Sequence, residues 1–80
     1  MTKEIKIWGN RLEISKDSEF YMVNNAELHL FVHVDKLTFR QPNDKQSWLL
    51  MWHRDAYIGS LWISSDTDMK KVRKFLEETK

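Results

Sequence analysis

Residues 57–76 read YIGSLWISSDTDMKKVRKFL, and within them the period of the apolar positions changes. Tyr57 to Ser64 reads as a strand. From Met69 on, the apolar residues Met69, Val72, Phe75 and Leu76 recur at helical spacing. Ser65 stands at the changeover as a capping residue, with Asp68 at the third helical position as in a capping box. Asp66 and Asp68 also suit the positive start of a helix. The spacing predicts a helix over about 66–79, with Lys70, Lys71, Arg73 and Lys74 on its opposite face. Asp66, Glu77 and Glu78 lie four residues from Lys70, Arg73 and Lys74 and are placed to pair with them.

Upstream of this point the chain reads as strands. Ile5-Lys6-Ile7-Trp8 and Arg11-Leu12-Glu13-Ile14 alternate apolar and polar residues about Gly9-Asn10, a pair that suits a two-residue primed turn. In that register Ile7 faces Leu12 and Ile5 faces Ile14 on one side. Lys6 faces Glu13 and Trp8 faces Arg11 on the other. Ser15–Ser18 is a polar connection, and Glu19 to Val23 a short strand with Phe20 and Met22 on one face. Asn24-Asn25 signals a turn. Leu28, Leu30, Val32 and Val34 then alternate with His29, Phe31 and His33 along a long strand. Its parity slips at Asp35-Lys36, because Leu37 and Phe39 are odd-numbered, and this predicts a bulge or bend. Residues 41–45 form a turn.

Ser47 to His53 is apolar on both faces. Two registers against the last strand are open. One sets Trp52 opposite Gly59; the other places Trp48, Leu50 and Trp52 on a face with Ile58 and Trp62. Gly59 marks a bulge or a point where an aromatic ring lies across the backbone. Strands followed by one amphipathic helix argue for the α+β class: an antiparallel meander or roll of five to six strands within residues 4–64, packed under a C-terminal helix.

The composition bounds the rest. Eighty residues, 41% hydrophobic and 31% charged, with a net charge of +1, describe one globular domain with a thin core. There is no cysteine, and so no thiolate metal site or disulfide. No apolar run approaches a membrane span, and the first residues lack a signal core, so the expected location is cytoplasmic. Residues 1–40 hold six basic and six acidic groups and residues 41–80 seven and six, so no long-range field of one sign exists.

Catalytic and cofactor chemistry find no constellation. His29 and His33, read as strand residues, stand about 13 Å apart and cannot share a metal. There is no nucleophile elbow, no phosphate-cradling glycine loop and no paired-carboxylate cleft. The expectation is a protein that is not an enzyme and carries no metal or cofactor.

Four Trp, four Phe and two Tyr point instead to binding. A small domain needs large side chains for its core, and Trp48, Trp52 and Trp62 serve there in the simpler reading. Trp8 lies opposite the Ile5/Ile7 face and is the first candidate for an exposed contact, with a cross-strand cation–π pair to Arg11 as the simpler alternative. Trp8, Arg11, His29, Phe31, His33, Trp52, Arg54 and Tyr57 are the candidate protein-contact residues. An aromatic surface or an unpaired strand edge would dock a protein partner or a second copy of the chain. The alternative is single-stranded nucleic acid, with Trp48 and Trp62 stacking on bases and Lys70, Lys71, Arg73 and Lys74 assisting.

The order of elements, with Leu61-Trp62-Ile63-Ser64-Ser65-Asp66 leading into the helix, resembles small pleckstrin-homology-like rolls, in which a meander is closed by a C-terminal helix. The basic first-loop pattern with which some of these bind phosphoinositides is missing here, where Gly9-Asn10 is flanked only by Trp8 and Arg11. The resemblance therefore implies a fold and no lipid ligand. The expected function is that of a small adaptor, inhibitor or immunity-type protein, of a size often found in phages and mobile elements.

Overall fold

The structure, a computed structural model, describes residues 3–17 and 19–79. It contains β1 (Lys3–Ile7), β2 (Leu12–Asp17), β3 (Phe20–Asn25), β4 (Leu30–Val34), β5 (Lys36–Asn43), β6 (Gln46–His53), β7 (Ala56–Ile63) and α1 (Asp66–Glu78). The strands form two antiparallel meanders, ordered β1-β2-β3-β4 and β5-β6-β7, with the helix closing the roll. The fold is α+β as expected, but it has seven strands where five or six were predicted. The extra strand comes from the parity slip at Asp35. The run read as one bent strand is two strands in different sheets, and Asp35 is the single residue between them.

The first hairpin has the predicted register, with Ile5 opposite Ile14, Lys6 opposite Glu13 and Ile7 opposite Leu12. Its turn differs from the prediction. Trp8–Asn10 form a short 3₁₀ turn and Arg11 takes the left-handed conformation (φ 49°), so four residues rather than two connect the strands. Trp8 and Arg11 are loop residues, not a strand pair. The polar connection expected over Ser15–Ser18 is shorter, because β2 runs on to Asp17; Ser18 lies outside the described residues.

Asn24 and Asn25 belong to β3 rather than to a turn. The buried Asn25 accepts the Leu28 N–H on Oδ1 (3.0 Å) and so initiates the turn that follows. That turn holds Leu28 and His29, the latter left-handed (φ 52°), so neither lies on a strand as predicted. Likewise, β5 extends through the predicted turn to Asn43. Pro42, which has no N–H, sits within a register shift between Arg40 and Asn43.

Arg54 and Asp55 form a tight left-handed turn (φ 52° and 65°) between β6 and β7. Trp52 faces Tyr57, but Met51 faces Gly59, so Ile58 is the additional residue of a bulge. The bulge expected at Gly59 thus falls one residue earlier. Beyond it the register is that of the second alternative, with Trp48 opposite Trp62.

One core lies between the two sheets and the helix. The first sheet gives Ile7, Leu12, Ile14, Tyr21, Val23 and Val34; the second gives Leu37, Leu49, Met51, Leu61 and Ile63; α1 gives Met69, Val72 and Phe75. Ser47, fully buried, is satisfied by donating its hydroxyl to Ile63 O (2.9 Å). The cap at Ser65 is present, its Oγ accepting the Asp68 N–H at 3.5 Å. At the other end Thr79 Oγ1 donates to Phe75 O (2.8 Å), leaving Tyr21 OH to donate to Thr79 Oγ1 (2.8 Å). The Tyr21 ring meets Phe75 edge-on at 6.1 Å.

Two outcomes test this account. A chain of this length is stabilised by only about 4–12 kcal/mol. Leu49→Ala, which empties a fully buried site, is expected to cost about 2–5 kcal/mol, read as a fall in the urea midpoint. Asp55→Gly relieves a left-handed residue and is expected to raise stability by about 1 kcal/mol, read as a higher Tm.

Candidate functional site

The alternation that buries one face of each strand exposes the other, and each sheet therefore presents an outer face. On the second sheet, Leu49, Met51, Leu61 and Ile63 point inward. Trp48, Leu50 and Trp52 of β6 consequently point outward beside Ser60 and Trp62 of β7 and Lys36, Thr38 and Arg40 of β5. Trp48, Leu50 and Trp52 are half-buried, whereas Trp62 is 52% and Tyr57 55% exposed. The expectation that Trp48, Trp52 and Trp62 fill the core is therefore corrected. The core is closed by aliphatic residues with Tyr21 and Phe75.

The Trp52 ring is held in place. Trp52 Nε1 donates to Thr38 Oγ1 (2.9 Å), the Tyr57 ring meets it edge-on at 5.5 Å, and Lys36 Nζ lies 5.7 Å from its centroid. Trp48 is in register with Arg40 on one side and Trp62 on the other. A hollow of about 320 Å³ opens between Arg40, Pro42, Trp48, Leu50, Tyr57 and Ser60. The charged residues of the face itself, Lys36 and Arg40, are both cations. At its end, Arg54 is exposed in the turn while its backbone N–H donates to Asp35 Oδ2 (3.0 Å).

The remaining candidates separate into three places. Trp8, Arg11 and His29 lie at one end of the first sheet, where Ala26 N–H donates to Arg11 O (2.9 Å) and joins the two turns. Trp8 is 76% exposed, and among the described residues its ring contacts no cation; the pair expected with Arg11 is not formed. Phe31 and His33 face outward on β4, their rings 5.2 Å apart. His29, in the turn, does not share their stripe.

The basic residues of α1 do not act as one patch. Lys70, Lys71 and Lys74 are exposed, but Arg73 lies across the Phe39 ring (5.2 Å) and donates to Gln41 Oε1, tying the helix to β5. Among the described residues the ion pairs are Lys74–Glu78 and Lys3–Glu78, both at 3.9 Å. The pairs expected for Asp66–Lys70 and Arg73–Glu77 are not formed. Spacing alone gave no sign of Arg73's anchoring role, because Phe39 and Gln41 are distant in sequence.

No group of three His, Asp or Glu side chains among the described residues is arranged to hold a metal ion, and no described helix is long and apolar enough to cross a membrane. The chain matches no family model, no curated protein and no solved structure.

The exposures yield a direct check. Trp8→Phe is expected to remove the most red-shifted and most readily iodide-quenched part of the tryptophan emission. Trp52→Phe is expected to leave that part in place, as steady-state quenching will read.

Proposed function

We propose that this chain is a small non-enzymatic protein-binding module, of the adaptor, inhibitor or immunity type, which docks through the outer face of the β5-β6-β7 sheet. The observation that carries the reading is the run of apolar side chains on that face. Trp48, Leu50, Trp52, Tyr57 and Trp62 adjoin across β6 and β7 although the core is complete without them. Trp and Tyr are the residues that dominate binding energy when a partner desolvates them, and their rings lose little conformational freedom on docking. The contacts of Thr38, Lys36 and Tyr57 with Trp52 hold that ring before any partner arrives, which lowers the ordering cost of association. With Lys36 and Arg40 at its β5 side, the face favours a partner surface with apolar and acidic groups.

The same cations beside the same rings support single-stranded nucleic acid as the second reading. Leu50 at the centre of the face favours protein, since an aliphatic side chain gives a base no stacking partner.

The test is a tagged pull-down from source-cell lysate, split into nuclease-treated and untreated halves, with the Leu50→Ser/Trp62→Ser variant in parallel. A stoichiometric protein that survives nuclease and is retained at least about ten-fold less by the variant is the expected result. Recovery that collapses with nuclease would transfer the face to the second reading. Retention unchanged in the variant would remove the face from the interaction altogether. Circular dichroism of the variant checks that its fold is intact.

A further inference from the structure

The outer face of the first sheet is built differently. Residues Lys6, Glu13, Asn24 and Phe31 stand in register across β1, β2, β3 and β4, each the neighbour of the next. Lys6, Glu13 and Asn24 point outward, because Ile7, Leu12, Ile14, Val23 and Asn25 beside them in their strands are buried, and Phe31 is itself 61% exposed. Trp8 and Arg11, in the turn between β1 and β2, lie beyond Lys6 and Glu13 along these strands. A cleft of about 200 Å³ lies between Trp8, Arg11, Lys6, Glu13, Asn24 and Ala26. A second of about 180 Å³ adjoins it, bounded by Glu4, Ser15, Met22 and Phe31. Glu13 and Asn24 line both, so the two adjoin as one trough, with Trp8 lining its first part and Phe31 its second.

We propose that this trough binds a neutral, hydroxyl-rich ligand of two ring units, a disaccharide stretch of an oligosaccharide. Three features select that chemistry. First, the exposed flat ring of Trp8 offers a surface on which the C–H face of a sugar ring packs, and Phe31, 61% exposed, offers a second. Second, the floor supplies hydrogen-bonding groups of every kind a hydroxyl uses. Glu13 accepts, Arg11 and Lys6 donate, and Asn24 does both. Among the described residues, none of these four side chains is engaged in a hydrogen bond or ion pair of the fold, even though Lys6 and Glu13 face each other. Third, the charges balance: Lys6 and Arg11 stand against Glu4 and Glu13. A polyanion would meet two carboxylates here, and an apolar protein surface would leave the polar floor unpaired.

The trough is also fixed before binding. Arg11 N–H donates to Trp8 O (3.1 Å), Ala26 N–H donates to Arg11 O (2.9 Å), and a side chain at Gly9 would meet the Asp68 carboxylate at the start of α1. The turn that carries Trp8 is thus held by the neighbouring turn and lies near the start of the helix. This site is separate from the face assigned to protein docking and does not depend on that assignment.

The experiment is an amide-resolved NMR titration of the full chain with maltotriose, cellotriose and chitotriose, and with heparin hexasaccharide and oligo(dT) as anionic comparators. At least one neutral sugar is expected to give saturable shifts at Trp8, Arg11, Glu13, Asn24 and Phe31. Binding is expected to weaken about ten-fold or more in Trp8→Ala and to weaken in Glu13→Gln, while Trp62→Ser leaves it unchanged. The proposal is overturned if no neutral sugar gives saturable shifts at millimolar concentration, if only the anionic oligomers bind, or if Trp8→Ala binds as the wild type does.

Discussion

Asp35 stands where the chain leaves one sheet and enters the other, and the rest of the molecule depends on the change of phase it makes. Along β4 the even-numbered Val34 is the buried residue; along β5 the odd-numbered Leu37 is. Without that shift of one, β5 would turn Leu37 and Phe39 to solvent and Lys36 and Thr38 to the core, since strand side chains alternate with a period of two. The corner is also tied: the Asp35 carboxylate takes the Arg54 N–H across from the β6–β7 turn. The two meanders therefore close on a common core, with α1 as the third wall.

How far the sequence revealed this follows from the same geometry. The first hairpin register was legible because Ile5, Ile7, Leu12 and Ile14 fit only one pairing with an apolar side. Its turn was not, because Gly9-Asn10 suggests a primed pair whereas the left-handed residue is Arg11. The helix was legible from Ser65, Asp68 and the spacing of Met69, Val72 and Phe75. The break at Asp35 was visible as a slip in parity, but a bend within one sheet and a passage between two leave the same trace in a sequence.

The candidate sites were legible in part, and for a definite reason. Trp8 could be placed outside because its neighbours alternate cleanly. Trp48, Trp52 and Trp62 could not, because β6 is apolar on both faces and the register against β7 changes at Ile58. A bulge of one residue reverses the face of everything beyond it, and nothing in the local composition around Ile58 announces it. The row from Lys6 to Phe31 was harder still. It draws one residue from each of four strands, and only the paired registers bring them together.

The placement of the tryptophans bears on what the chain is for. The buried core contains no Trp, and its largest rings are Tyr21 and Phe75 at the helix. In so small a domain burying a ring is the most effective use of its apolar area, at roughly 25 cal/mol for each Å² removed from water. Trp8 keeps 76% of its surface in water and Trp62 keeps 52%. Exposed apolar area of that kind contributes little to folding and favours self-association. The proposed recognition gives both exposed rings a role. On the second sheet the rings sit among apolar neighbours and two cations, where removal of water would drive the proposed association. On the first, the ring adjoins a polar and charge-balanced floor, where stacking and directed hydrogen bonds would act together on the proposed ligand. The two faces therefore suit ligands of different chemistry, although the core behind them is shared.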